Sequence, residues 1–136
     1  MNDKLVEFKG HTDGRGLLVS LESHKNVPFD IKRIYYLTDL SSSHPRGFHA
    51  HKNLKQLVVC VSGSCDFTLD DGHTRKTIHL SSPLQGLIIE HNTWREMHNF
   101  SQNCVIMVLA SEYYDESDYI RDYDEFKRLA HESSAK

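Results

Sequence analysis

Short runs rich in β-branched and aromatic residues recur along the chain: "LVEF", "LLVSL", "IKRIYYL", "QLVVCVSG", "CDFTL", "TRKTIHL", "GLIIE" and "CVIMVLA". Turn formers separate them at Asp13-Gly14, Pro28, Ser41-Ser42-Ser43, Asp71-Gly72 and Ser82-Pro83. Many short strands at this spacing predict an antiparallel sandwich or barrel, not alternating strands and helices. "CDFTLDDGHTRKTIHL" predicts a hairpin that turns at Asp71-Gly72. One segment has helical spacing. In "DESDYIRDYDEFKRLAH", Tyr119, Tyr123, Phe126 and Ala130 share one face and acids gather in the first turn. That predicts a helix over about 116–131 whose aromatic stripe covers the sheet. The closing "HESSAK" reads as a frayed tail. The expected architecture is all-β: a single domain over 1–136, its β-sandwich core at about 4–114, closed by the C-terminal helix.

With 136 residues, the chain is long enough to bury roughly two thirds of the surface it exposes unfolded. Sixteen Lys plus Arg against nineteen Asp plus Glu leave a net charge of -3, which argues against nucleic acid or an anionic membrane as a partner. "MNDKLVEFKG" has no apolar core of a signal peptide, and no apolar run approaches the ~18 residues of a spanning helix. Cys60, Cys65 and Cys104 lie in apolar or strand-like stretches, and their spacing fits neither a zinc site nor a redox pair. They read as buried reduced thiols of a cytoplasmic protein.

"RGFHAHKN", Arg46 to Asn53, carries the candidate chemistry. On a strand, residues two apart face the same side, so His49 and His51 point together while Phe48 and Ala50 face the other way. Metal-binding cupins resemble this segment, with a His-x-His followed by an acidic ligand and a glycine. Here Gly63 keeps the spacing, but Gln56 stands at the acidic position and Arg95 falls near the place of the last ligand. Two histidines and an amide are short of the three or four good ligands of a transition-metal site. Two merely structural imidazoles beside Arg46 and Lys52 would be an expensive core filling. A metal site completed by His91 or His98 and a purely structural pair stay open, and the pattern favours acid–base chemistry over both. At neutral pH one imidazole accepts a proton while another donates, which suits moving a carbonyl between adjacent carbons through an enediol. Tyr35, Arg46 or Arg95 can hold the developing oxyanion, and Arg15, Arg33, Arg46 and Arg95 are candidate phosphate partners. Parity places Arg33, Tyr35 and Leu37 on one strand face without saying which face is inside.

"DGRG", "FDIKRIYYLTDL", "RGFHAHK", "SGSCDFTLDDG", "WREMHNFS" and "VLASEYYDESDYIRDYDEFKR" together resemble the dTDP-sugar 3,4-ketoisomerases, small cupins acting on dTDP-4-dehydro-6-deoxyglucose. The likeness runs from about Val6 to Arg128. It implies a jelly-roll fold, a homodimer with exchanged strands, and neither metal nor organic cofactor. It assigns His51 as the base at C3 of the sugar, His49 as its partner at C4, and Tyr35 as a third catalytic member. Arg15, Arg46 and Arg95 would line the sugar and diphosphate region, with Arg33 beside them. His91 stands where many relatives have proline, and Arg15 with Arg95 mixes two types within the family, so the C4 configuration of the product stays open. The implied pathway makes a 3-amino-3,6-dideoxyhexose for a surface glycan. Three rivals share the pattern: a dTDP-sugar 3,5-epimerase, which resembles a longer chain using a His–Asp pair, a sugar-nucleotide-binding module without catalysis, and a metal-dependent cupin oxygenase or isomerase.

Overall fold

The computed structural model describes residues 4–134. Its strands are β1 (Leu5–Glu7), β2 (His11–Asp13), β3 (Gly16–Leu18), β4 (Arg33–Leu37), β5 (Arg46–His51), β6 (Gln56–Ser62), β7 (Cys65–Asp70), β8 (Arg75–Leu80), β9 (Gln85–Ile89), β10 (Trp94–His98), β11 (Val105–Ala110) and β12 (Tyr119–Ile120). They form two five-stranded sheets, ordered β1-β9-β6-β11-β4 and β12-β5-β10-β7-β8, with β2-β3 as a separate hairpin. Every named strand pair is antiparallel. This is the β-sandwich that the pattern of short apolar runs predicts.

The main core lies between the two sheets and draws Val58, Cys60 and Ile106 from one, and Phe67, Leu69 and Leu80 from the other. A second cluster, with Phe8, Val27, Phe29, Leu57, Val59 and Leu109, covers the outer face of the first sheet. β6 is therefore buried on both faces from Gln56 to Cys60, which is why "LVVC" runs apolar without alternation.

The hairpin at Asp71-Gly72 forms as expected, joining β7 to β8. The Asp71 carboxylate accepts from the backbone N–H of His73 and Thr74 and closes the turn. Gly72 is required twice. Its φ is +93°, and a Cβ there would lie 2.4 Å from the Ala130 Cβ of the helix above.

The C-terminal segment departs from the predicted single helix. Residues Glu116–Asp118 make one 3-10 turn capped by Asp115, then Tyr119 and Ile120 pair with β5, and α1 runs Tyr123–Ser134. Asp122 starts that helix, its side chain accepting from the Asp124 N–H. Helical spacing from Tyr123 onward was a sound guide, but Tyr119 belongs to a strand. Hydrogen bonds to the sheet outweigh a continuation of helix backward. Nor does the tail fray at 131: α1 continues to Ser134, and the His131 ring bonds the Gly72 carbonyl at 2.9 Å. Ala135 and Lys136 lie outside the described residues.

Beneath α1 sits a third cluster of Ala50, Trp94, Ile120 and Phe126, which fixes the back of β5. Phe126 is 1 % exposed and its ring lies 5.8 Å from Trp94. Phe126→Ala is expected to cost about 3–5 kcal/mol, read as a lowered urea midpoint. A change below 1 kcal/mol would show that the helix does not anchor β5.

Candidate active site

β5 carries the histidine pair, and its backbone is not regular. Gly47 and Phe48 have φ of +92° and +60°, and the register against β10 jumps from Arg95 opposite His49 to Glu96 opposite Gly47. Phe48 is thus a bulge residue. A non-glycine residue in the left-handed region is strained, and bulges of this kind re-aim neighbouring side chains. Beyond the bulge the alternation holds. Ala50 packs into the cluster under α1, while His49 and His51 share the opposite face with ring centroids 4.9 Å apart.

That face opens on a cavity of about 300 Å³ between the sheets, whose walls include Arg33, Tyr35, Arg46, His49, Gln56 and Arg95. The strand face shared by Arg33, Tyr35 and Leu37 is the inner one, which parity alone left undecided. Four of the five site residues singled out beside the histidine pair, Arg33, Tyr35, Arg46 and Arg95, therefore reach one place. Arg46 does so from the exposed start of β5. Arg15 does not. It sits on the β2-β3 hairpin, paired with Asp13 at 2.7 Å, its side chain 91 % exposed.

The two histidines are not equivalent. His49 is on the cavity wall, whereas His51 is 1 % exposed and stands behind it. His51 Nδ1 lies 3.2 Å from the Asp118 carboxylate, which also accepts from the backbone N–H of Asn53 and Leu54. A carboxylate can only accept, so the hydrogen sits on Nδ1, and Nε2 keeps its lone pair. Nε2 has no partner among the described groups. A His–Asp pair, expected as the mark of the epimerases, is thus present here as well and does not separate the two chemistries.

Burial lowers the pKa of both rings, with the Arg95 cation as the next cause. His49 falls to about 4 and His51 to about 2. Both are neutral bases at physiological pH. Arg95 is 2 % exposed, and burial lowers its own pKa to about 10, so it remains a cation. It donates through Nη1 to the Gln56 Oε1 and through Nη2 to the Thr93 carbonyl at 3.2 Å. The other end of Gln56 donates to the Tyr35 hydroxyl at 2.8 Å. Gln56 therefore links a cation to a phenol at the position where the His-x-His pattern of metal-binding cupins would call for an acidic ligand. The donor set does not suit a divalent ion, because a guanidinium ligates nothing and repels one. Burial raises the Tyr35 pKa against the pull of Arg95, leaving a phenol able to donate. Among the described groups the Nε atoms of Arg33 and Arg95 are buried without a hydrogen-bond partner, which leaves them able to meet a polar ligand.

The wall also includes Tyr114, Tyr119 and Arg121, none of which the sequence reading placed in the site, Tyr119 having been assigned to the helix face. The Tyr119 ring lies 5.0 Å from His49 and 4.3 Å from His51, and the Arg121 guanidinium sits 4.2 Å over it. Glu116 holds Arg121 through two bonds of 2.9 Å. Tyr119 and Asp118 were obscured by the helical spacing that they share with the residues after them. Nothing in the pattern of the chain alone marks the strand that carries them to β5.

Over residues 1–131 the chain matches the family described as FdtA: WxcM-like, C-terminal. It is 55% identical over 128 residues to a TDP-4-oxo-6-deoxy-alpha-D-glucose-3,4-oxoisomerase of Aneurinibacillus thermoaerophilus, covering 94% of this chain and 92% of that protein. A 3,4-ketoisomerase from Helicobacter canadensis superposes with a TM-score of 0.93 at 49% identity, over 96% of this chain and 98% of the other. The sugar 3,4-ketoisomerase QdtA of Thermoanaerobacterium thermosaccharolyticum, solved with TDP, gives 0.92 at 44% identity, over 95% and 94%. The RmlC epimerase of Mycobacterium tuberculosis, at 19% identity and a TM-score of 0.72, shares the fold alone. A buried, cation-bearing cavity with a neutral imidazole on its wall thus occurs in a chain that belongs to the FdtA (WxcM-like, C-terminal) family, among sugar 3,4-ketoisomerases.

Proposed function

We propose that this chain converts dTDP-4-dehydro-6-deoxyglucose to a dTDP-3-dehydro-6-deoxyhexose by proton transfer through an enediol. The observation that carries this reading is the neutral His49 on the wall of a cavity that also holds Tyr35, Arg33 and Arg95. The substrate is supported by the name of the curated relative and by the Thermoanaerobacterium enzyme, a variant of which was solved with TDP-4-keto-6-deoxyglucose.

In this reading the base removes the proton from C3, beside the C4 ketone. The freed electron pair forms a C3–C4 double bond while the C4 oxygen takes a proton, giving the enediol. The C3 hydroxyl then loses its proton to become the ketone, and C4 receives a hydrogen. The atoms balance with no electron acceptor. Tyr35 and the cations Arg33 and Arg95 offer donors to the oxygen as it gains charge. The family resemblance gives His51 the C3 proton, but the geometry favours the reverse. His49 faces the cavity, and His51, held by Asp118 with Nε2 free, suits the role of its proton-relay partner.

A second copy of the chain completes the proposal. Leu17 and Leu18 on the β2-β3 hairpin are 47 % and 60 % exposed, and Ile34 and Tyr36 on the edge strand β4 are 57 % and 72 % exposed. Exchange of N-terminal strands in a homodimer would cover such apolar positions and bring Arg15 of one protomer towards the diphosphate region of the other. The remaining pathway role, making a 3-amino-3,6-dideoxyhexose for a surface glycan, rests on the family resemblance.

The direct test is incubation with dTDP-4-dehydro-6-deoxyglucose in deuterated water, read by proton NMR. The expected product carries the ketone at C3 and deuterium at C4, with C5 unexchanged. Exchange at C5 would indicate an epimerase, and TDP binding without ketone migration a binding module. In the same assay His49→Asn should lower kcat at least ~100-fold with TDP affinity within a few fold, the scale of a lost acid–base group. A near wild-type rate in that variant would remove His49 from the reaction.

Because a base must be neutral to act, its lowered pKa moves the acid limb of the reaction. kcat/KM should hold steady as pH falls through 6.5 and decline only towards about 4, the value for His49. A kinetic limb near 6.5 would contradict the buried, cation-flanked environment.

Mixing two impaired variants tests the exchanged arm. Arg15→Ala retains His49, and His49→Asn retains Arg15, so only mixed dimers that share across the interface contain a complete site. Co-expression should restore activity that neither variant has alone. No recovery, with mixed dimers demonstrated by mass spectrometry, would place Arg15 outside the partner's site.

A further inference from the structure

Cys60, Cys65 and Cys104 do not fit a metal site by their spacing in sequence, yet the fold gathers them. β6 ends at Ser62, turns through Gly63 and enters β7 at Cys65. Gly63 has φ of +73°, and a Cβ there would lie 3.0 Å from the Cys104 Cα, so the turn can press against the residue that leads into β11. The register of β11 on β6 slips between Val105 and Ile106, with Ser62 opposite one and Cys60 opposite the other. That slip brings the start of β11 level with Cys60. The three sulfurs all lie within 4.8 Å of one another, and those of Cys60 and Cys104 are 3.8 Å apart. Their residues are 1 %, 0 % and 2 % exposed, at one end of the main core.

We propose that these three thiols form a binding site for a soft, thiophilic ion, with trivalent arsenic as the best chemical match. Geometry supports it first. Bonds to sulfur of about 2.3 Å set the sulfurs on one tetrahedral ion about 3.8 Å apart, and somewhat closer, at roughly 3.4 Å, in the three-coordinate pyramid that the lone pair of trivalent arsenic imposes. The observed spacing needs only small side-chain rotations to meet this. Charge selects the ion. The surroundings are apolar, and a divalent cation on three thiolates would leave a buried net negative charge. Arsenous acid reacts with three thiols to give one arsenic bound to three sulfurs and three waters. Each thiol proton leaves on a hydroxyl of the arsenic, nothing is oxidised or reduced, and reactants and product are all neutral. The site stands apart from the histidine cavity and does not depend on the proposed reaction. Since β6 and β11 belong to one sheet and β7 to the other, a bound ion would tie the sandwich together.

The test is titration of the reduced full-length protein with arsenite, followed by intact mass and thermal melting. The expected result is one arsenic per chain gained with loss of three hydrogens, together with a raised melting temperature. Cys60→Ser, Cys65→Ser and Cys104→Ser should each weaken binding at least tenfold, as should the corresponding alanine variants, with circular dichroism reporting that the fold persists. Loss of only two hydrogens without arsenic would show a disulfide and overturn the proposal. So would an adduct on two sulfurs, no adduct, or single variants that bind as tightly as the parent chain.

Discussion

The site depends on one buried cation. Arg95 is enclosed by protein, and its guanidinium donates to the neutral oxygens of Gln56 and Thr93, with the Asp118 charge acting on it without a direct bond among the described residues. A cation in that position acts on everything around it. It adds to burial in keeping the imidazoles of His49 and His51 unprotonated, and it opposes the burial that raises Tyr35. The cavity is therefore a place where bases are neutral, a phenol is protonated, and an incoming anion meets fixed positive charge. With glutamine at position 56 and arginine at position 95, the cavity carries fixed positive charge and no carboxylate at either place.

The second constraint is mechanical. The two imidazoles are held from behind, and the chain does this with the 3-10 turn that ends at Asp118 and with β12. The Asp118 carboxylate binds the His51 ring and two backbone N–H groups after β5, and the next residue, Tyr119, packs its ring on both histidines. Behind β5, Phe126 and Trp94 fill the space under α1. The helix is thus the support of the histidine strand, and its own position relies on Gly72 letting Ala130 approach the hairpin. The His49–His51 pair, the bulge at Phe48 and the tail of the chain work as one unit.

Much of this was legible in the residues. A His-x-His pattern on a strand can only point to one side, so the pairing of His49 and His51 followed from backbone geometry alone. The same parity grouped Arg33 with Tyr35. What parity could not supply was the choice of face, because that depends on which sheet lies opposite. The unequal depth of the two histidines was also hidden. It arises from Asp118, more than sixty residues later in the chain, and long-range pairing leaves no local periodicity to read.

The sequence by itself determined the β-sandwich, the Asp71-Gly72 hairpin, the shared face of the histidines and the residue types available for proton transfer. These are local properties, set by side-chain period, turn chemistry and pKa. Tertiary structure decided that Tyr119 leaves the helix for a strand, that Arg15 stands away from its own cavity, and that three scattered cysteines meet. Each of those outcomes is set by strand pairing between distant segments, where hydrogen bonds and burial outweigh local preference.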